Sequence, residues 1–374
     1  MSRPLTVILA AGGTGGHVFP ALAAAAALRR RGARVIVASD GRGRRFQGDI
    51  ETATVQSGRL VGSPFARLLD FLRIGFGGLQ ALFLMLRTRA DVVVGFGGYP
   101  SLPTMAAALL LRRPTVLHDQ NAVLGRVNRL FARRVGHVAT AFDAVSGAPR
   151  KGAVVVGNPV REAVAAVGET AYVPPAADGP IRLLIFGGSQ GARVLSDLLP
   201  AVVARLPDAL KQRVLVTQQC RPEDLDRVRA AYAEAGLAPE LATFFDDMPE
   251  RLQAAHLVIA RSGASTVAEL AAAGRPSILI PFAAAMDDHQ TANAEALVAA
   301  GAAWRISEAA ATPDAVATML GEAIGDPAIL ADAAVRARAC ARLDAAEALA
   351  DLIEQAAGRR HRETGARVAG GIAA

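Results

Sequence analysis

The stretch Leu5 to Leu28, LTVILAAGGTGGHVFPALAAAAAL, decides how the chain folds. Leu5 to Ala10 is a short apolar run that reads as a buried strand. The loop Gly12-Gly13-Thr14-Gly15-Gly16-His17 follows, and Pro20 with the alanine-rich run Ala21 to Leu28 reads as a helix. Strand, glycine loop and helix in that order point free backbone N–H groups at an anion. Four glycines in five residues let a polar group lie against the main chain, because no Cβ blocks it. His17 puts a titratable ring where loop meets helix. The same residues also fit a tight strand-to-helix turn with a surface histidine. The loop matches neither the Gly-Lys-Ser/Thr phosphate loop nor the dinucleotide spacing G-x-G-x-x-G.

Working outward, the first half alternates strand and helix. Arg34 to Ala38, Asp91 to Gly95, Pro114 to His118 and Ala153 to Val156 read as strands, with a helix over Leu102 to Leu111. The pattern then restarts. Glu169 to Pro180, with three prolines, reads as a linker. Arg182 to Phe186 is a strand entering a second glycine loop, Gly187-Gly188-Ser189-Gln190-Gly191-Ala192. Arg213 to Thr217, Leu241 to Phe245, His256 to Ala260 and Ser277 to Pro281 read as further strands, and helices fill most of the chain to Ala357. β-branched runs alternating with helices predict an α/β chain of two Rossmann-like doubly wound domains, whose ligands bind at the strands' carboxyl ends. A length of 374 residues also favours two domains. We expect an N-terminal domain over 1–162, a C-terminal domain over 163–340, a helix near 341–357 packing back on the first, and a disordered tail over 358–374.

Charge divides along the same line. Residues 1–160 carry a net +14 and residues 161–374 a net −7, which together give the overall +7. A basic first half suits an anionic lipid, a phosphorylated substrate or nucleic acid. No basic stripe interleaved with aromatics is present, so nucleic acid is not expected as a partner. Cys220 and Cys340, the only cysteines, give no disulfide framework and fit a reducing cytoplasm. The apolar run at Leu5 to Ala11 is too short for a signal peptide.

Phe65 to Leu86 is rich in Leu and Phe and is flanked by Arg59, Arg67, Arg73, Arg87 and Arg89. Its uncharged part, Ile74 to Leu86, is 13 residues, short of the ~20 that span a bilayer. It reads as a core helix, as a patch lying in a membrane interface with arginines on anionic headgroups, or as both, with one face in the core.

Eight stretches in order, GGTGGHVFPALA (12–23), GFGGYPS (95–101), LHDQN (117–121), VVGNPVR (155–161), GGSQGA (187–192), FFDDM (244–248), ARSGASTVAEL (260–270) and DDHQTANA (287–294), resemble the MurG family of glycosyltransferases. That resemblance spans nearly the whole chain. It implies the GT-B arrangement, two such domains facing across a cleft, and transfer of N-acetylglucosamine from UDP-N-acetylglucosamine to undecaprenyl-linked muramyl-pentapeptide in peptidoglycan synthesis. It also implies an anionic inner-membrane surface as a partner, a place on the cytoplasmic face of that membrane, and other cell-wall synthesis proteins as partners. Two departures stand out: Asp119 replaces an expected Glu, and Ala283-Ala284-Ala285 replaces a more polar loop.

By the same resemblance Thr14, Gly15, Gly16, Asn121, Arg161, Ser189, Phe245, Ala264, Ser265, Thr266, Val267, Ala268, Glu269 and Gln290 would bind the donor. Glu269 would hold the ribose hydroxyls, Phe245 the uracil, and Asn121 and Gln290 the sugar. Gly97, Gly98, Tyr99 and His118 would bind the acceptor. The residues themselves agree in part: Ser262 to Thr266 opens a helix after a strand and suits a diphosphate. His17 is the first candidate for general base, because imidazole titrates near working pH, and Asp119 is the second, as base or as the group orienting a histidine. No metal or other cofactor is expected. Asp246-Asp247 and Asp287-Asp288 are expected to cap helices rather than bind a cation. Competing readings are a UDP-N-acetylglucosamine 2-epimerase or a transferase with a soluble acceptor, an NAD-dependent dehydrogenase, and a non-catalytic membrane scaffold. The dehydrogenase lacks its glycine spacing, and a scaffold has no need of His17, Ser189, Arg261, Glu269 and Gln290 in its loops.

Overall fold

The computed structural model describes residues 3–12, 14–40, 50–58, 63–149, 152–189 and 191–358. The expected tail from 359 on, Gly13, Arg59 and Gln190 lie outside the described residues. Among the described residues thirteen strands form two sheets, every pair parallel. The first holds β1 (Thr6–Ala10), β2 (Arg34–Ser39), β3 (Glu51–Thr54), β4 (Val92–Gly95), β5 (Thr115–Asp119), β6 (His137–Thr140) and β7 (Ala153–Val155), in the order β3-β2-β1-β4-β5-β6-β7. The second holds β8 (Ile181–Phe186), β9 (Val214–Gln219), β10 (Glu240–Ala242), β11 (Leu257–Ala260), β12 (Ser277–Leu279) and β13 (Ala303–Arg305), in the order β10-β9-β8-β11-β12-β13. In both, the first strand of the unit sits inside and the order reverses beside it. That is the doubly wound switch point.

The central strands are apolar along their whole length because helices cover both faces. β1 and β4 are buried at every residue. Three strands, β3, β6 and β13, were not expected. β3 is the edge strand Glu-Thr-Ala-Thr, mostly exposed, with no apolar run to betray it. β13 is three residues long, and β6 begins at a histidine. Edge and very short strands carry little period-2 signal.

The chain crosses between the sheets after β7 and returns near Arg342. The stretch Glu169–Pro180, expected as the linker, instead packs within the second unit. Tyr172 donates its hydroxyl to the His256 carbonyl at 2.9 Å, and its ring packs on that unit's core. The crossing lies earlier, near Gly157, where φ is +88° and a Cβ would meet Arg342 and Ala345 at 2.8 and 3.0 Å. The last described helix, Ala345–Ala356, packs on helix α1 (Gly15–Arg30) and adds Leu349, Leu352 and Ile353 to the first core. Arg31, just beyond α1, pairs with Glu347 and Asp351 of that helix.

Helix α2 (Pro64–Thr88) carries two apolar stripes on opposite sides. Gly77, Ala81, Met85 and Thr88 are buried at helical spacing, and α2 packs on helix α3 (Ser101–Leu110). At 77 only a glycine leaves room for the Gln56 carbonyl. Phe65, Leu68, Leu69, Leu72, Phe76, Leu79, Phe83 and Leu86 follow the i, i+3, i+4, i+7 spacing on the outer side and are all exposed. The helix thus has one face in the core and an apolar face outside it. The helix is long and apolar enough, by length and composition, to cross a membrane.

His118 in β5 is fully buried and donates from Nε2 to the Gly157 carbonyl at 2.9 Å, tying the sheet to the crossing. Burial, reinforced by the neighbouring His17, pulls its pKa down to about 4, against the Gly157 bond and Asp119. An unfolded chain protonates histidine near pH 6.5. Between those values the unfolded chain holds a proton that the folded chain lacks, so stability falls as pH drops from about 6.5 to about 4, by roughly 3 kcal/mol. Denaturant unfolding at pH 7.5 and 4.5 should show the wild type losing about 2–3 kcal/mol more than His118→Gln; equal losses would contradict a neutral buried imidazole.

Candidate functional site

The carboxyl ends of both sheets open onto one cleft, with a cavity of about 870 Å³. Among the helices that begin at its wall are α1, Arg193–Ala204 and Ala264–Ala273. None has a capping side chain bonded to its first turn, and none has an acid there. Their N-terminal N–H groups and positive dipole ends therefore face the cavity uncompensated. Such a cleft favours a multiply charged anion held between two domains.

Close approach across the gap needs small residues and one missing N–H. Pro20 lies inside α1, so the Gly16 carbonyl has no i+4 backbone donor. Ser265, from the other unit, donates its hydroxyl to that carbonyl at 3.3 Å. A Cβ at Gly15 would stand 2.9 Å from the Phe19 ring and 3.3 Å from Ser189 of the second unit. Asn293 bridges on the other side: Nδ2 donates to Asn121 Oδ1 at 3.1 Å, and Oδ1 accepts the Ala122 N–H at 2.8 Å. Asp287 pairs with Arg129 at 3.1 Å beyond it.

Of the expected donor residues, Thr14, Gly15, Gly16, Asn121, Arg161, Ser189, Phe245, Ala264, Ser265, Thr266, Glu269 and Gln290 line this cavity. Val267 and Ala268 do not. They lie on the far side of their helix and line a separate cavity at the crossing, because successive helical residues turn by about 100°. Glu269 is buried one turn into the same helix, where burial raises its carboxyl against the pull of Arg161. Arg161 donates from Nε at 3.0 Å and approaches with Nη2 at 2.9 Å, both at Oε1, and no described residue bonds Oε2. The guanidinium also stacks 4.7 Å from the Phe19 ring centre. Phe245 is backed by Arg251 at 4.1 Å. Gln290 Oε1 accepts the Phe282 N–H at 3.0 Å, and Glu308 accepts the Ala283 N–H at 3.1 Å. Backbone groups thus organise the loop where Ala283-Ala284-Ala285 departs from the expected sequence. Arg261 is held by the Ile280 and Pro281 carbonyls and by Glu308.

Three expectations need correction. Asp119 faces neither histidine. It is 1% exposed, and its carboxylate accepts from the Asn121 and Gly125 N–H groups at 3.0 and 2.8 Å and from Asn128 Nδ2 at 2.9 Å. A short carboxylate at a strand end reaches its own loop first, so Asp119 braces residues 121–128 rather than orienting a base. His118 is 0% exposed and cannot touch a ligand. The acidic pairs occupy cap positions but do not cap with their side chains. Asp247 bonds Arg251 at 2.7 Å, and Asp288 accepts from Thr291 at 2.7 Å. Among the described residues no three His, Cys, Asp or Glu side chains gather as a metal site.

Gly97, Gly98 and Tyr99 lie beside the cavity rather than in it. Gly98, at φ +71°, packs against the His17 ring, where its Cβ would be 3.2 Å from Cδ2. His17 lines the cavity, and its Nδ1 lies 2.8 Å from Oε1 of Gln120. Gln120 and Asn293 were not singled out from the sequence. Both sit inside quoted motifs, but nothing about a lone amide shows what it will bond.

Two family models match the chain: the glycosyltransferase family 28 N-terminal domain over residues 7–140 and the C-terminal domain of the same family over 182–354. The chain is 50% identical to the UDP-N-acetylglucosamine–N-acetylmuramyl-(pentapeptide) pyrophosphoryl-undecaprenol N-acetylglucosamine transferase of Rhodospirillum rubrum, over 96% of this chain and 94% of that one. It is 51% identical to the protein of the same name from Methylobacterium sp. (strain 4-46), over 96% and 98%. The crystal structure of Acinetobacter baumannii MurG superposes with a TM-score of 0.75 at 33% identity, covering 94% of this chain and all of that one. The fold is that of a GT-B glycosyltransferase, and with identity near one half along almost its whole length the chain belongs to the MurG family of N-acetylglucosamine transferases.

Proposed function

We propose that this chain transfers N-acetylglucosamine from UDP-N-acetylglucosamine to the 4-hydroxyl of undecaprenyl-diphospho-N-acetylmuramoyl-pentapeptide, with inversion at the anomeric carbon. The reading is carried by the near-full-length identity to transferases of that name. The cleft supports it chemically. The diphosphate sits at the N-terminus of Ala264–Ala273, where the Ala264, Ser265 and Thr266 N–H groups lack a capping side chain. Arg161 and Ser189 approach it from the hinge and from the second glycine loop. Glu269 Oε2 accepts from the ribose hydroxyls, and Phe245 lies beside the uracil. Asn121 and Gln290 read the sugar, with Thr14, Gly15 and Gly16 opposite.

As the acceptor oxygen attacks the anomeric carbon, its proton passes to His17 and the bond to the UDP oxygen breaks. Helix N-termini and guanidinium groups stabilise the charge that develops on UDP, a task that requires no metal. The basic first half faces the lipid diphosphate. The outer stripe of α2 lies in the interface on the cytoplasmic side of the inner membrane, with Arg67, Arg73, Arg87 and Arg89 at anionic headgroups. Large apolar side chains gain about 1.5–3 kcal/mol each on full burial, so eight of them anchor the domain even when partly inserted.

Transfer from labelled UDP-N-acetylglucosamine to a lipid-linked muramyl acceptor, in detergent with EDTA, tests the reading. We expect full turnover; absence of transfer, or a requirement for a divalent ion, would contradict it. In that assay His17→Ala should lower kcat by roughly 10²–10⁴ with donor affinity nearly kept. Glu269→Ala should weaken donor binding by roughly 10–100-fold. Equal loss of donor binding in both variants would make His17 a binding residue instead. Charge reversal at Arg67 and Arg73 should weaken binding to anionic vesicles at least about tenfold at low salt; unchanged binding would leave the outer stripe without a membrane role.

A further inference from the structure

A chain of hydrogen bonds runs from the floor of the cleft to the crossing between the two units. His17 Nδ1 lies 2.8 Å from Gln120 Oε1. Gln120 Nε2 lies 2.9 Å from His118 Nδ1 and donates to the His118 carbonyl at 3.1 Å. His118 Nε2 lies 2.9 Å from the Gly157 carbonyl. Both Gln120 and His118 are buried, so water does not offer them other partners.

The directions of these bonds follow from the far end. A carbonyl oxygen only accepts, so His118 carries its proton on Nε2 and presents a lone pair at Nδ1. The amide of Gln120 must then turn its NH2 toward His118, where two acceptors, Nδ1 and the backbone carbonyl, wait for it. That leaves Oε1 facing His17, and an amide oxygen only accepts. His17 therefore carries its proton on Nδ1, and its lone pair is on Nε2. Turning the amide over would set Oε1 against two acceptors, the His118 Nδ1 lone pair and the His118 carbonyl. Among the described residues nothing bonds Nε2, and Gly98 backs the adjoining ring edge, where a Cβ would stand only 3.2 Å from Cδ2.

We propose that Gln120 is a positioning residue that locks His17 as the Nδ1–H tautomer through His118 and the Gly157 carbonyl, so that the Nε2 lone pair faces the reacting hydroxyl. The inference rests on the reading of His17 as general base. The step balances without any proton moving along the chain. The acceptor O–H proton goes to Nε2 as the new C–O bond forms at the anomeric carbon. The electron pair of the breaking bond leaves with UDP. The resulting imidazolium still donates from Nδ1 to Gln120, so the same amide serves both states of the ring. A ring free to hold its proton on Nε2 would meet the hydroxyl with a donor and could not accept from it. This is also why Asp119 is not needed as orienter: the amide two bonds away performs that task without a charge.

Nitrogen NMR of the full chain labelled with ¹⁵N-histidine reads the tautomers directly, with His17 and His118 assigned through His17→Ala and His118→Gln. At pH 7.5 we expect His17 as Nδ1–H and His118 as Nε2–H. A His17 ring found as Nε2–H, or averaged between the two forms, would overturn the inference. Gln120→Met keeps the length but removes both bonds. Its kcat should fall roughly 10–100-fold, within the ~10²–10⁴ that a positioned base supplies, with donor affinity kept and the His17 signal moving to the averaged form. Gln120→Glu restores the acceptor for Nδ1–H and should recover part of the lost kcat. An unchanged kcat in Gln120→Met would also overturn the inference, and if that variant does not fold the wild-type spectrum decides alone. Turnover retained in His17→Ala removes the general base itself. Turnover lost there with a wild-type Nε2–H ring keeps the base and removes only the role of Gln120.

Discussion

Three of the helices that begin at the cleft, α1, Arg193–Ala204 and Ala264–Ala273, start with neither a capping side chain nor an acid in the first turn, and their free N–H groups give the cleft its field. Each follows a strand of a parallel sheet, so each begins at the carboxyl edge, and the two sheets turn those edges toward each other. A capping Ser or Asp would satisfy a first-turn N–H within its own helix and reduce the field in the gap. Glycine, alanine and an unbonded threonine stand at those caps instead. The helix ends are left for a ligand, and a nucleoside diphosphate has the charge and the acceptor oxygens to meet them.

The same economy governs how the two units touch. Pro20 removes one helical donor, and the Gly16 carbonyl it leaves is met by Ser265 from across the cleft. Glu269 is paired at one oxygen with Arg161, which comes from the crossing segment. That partner orients the carboxylate and leaves its other oxygen toward the cavity. Side chains that line the cavity are therefore held by contacts between the units.

Much of this was legible in the sequence. Central strands announce themselves as β-branched runs because both faces are covered, and the glycine loops mark turns that line the cleft. What escaped was local. The edge strand at Glu51–Thr54 has no apolar period, and the proline-rich stretch near 169–180 resembles a linker although Tyr172 is packed into a core. Asp119 carries the charge expected of a catalytic partner, yet three N–H donors of its own loop and neighbourhood engage it first. Val267 and Ala268 share a motif with Ser265 but lie on the other side of the helix. The orienting amide, Gln120, looks like any polar residue at a strand end until the proton count is made from Gly157 outward. Motif spacing reports which residues are brought near one another; it does not report which atoms pair.

A crystal structure of this chain with UDP-N-acetylglucosamine bound would test the central claim most directly. The uncapped helix ends predict the diphosphate within hydrogen-bond reach of the Ala264 and Ser265 N–H groups, the ribose at Glu269, and the anomeric carbon toward His17 Nε2. A diphosphate bound away from the N-terminus of Ala264–Ala273, or bridged to the protein through a metal ion on the acidic loops, would contradict it.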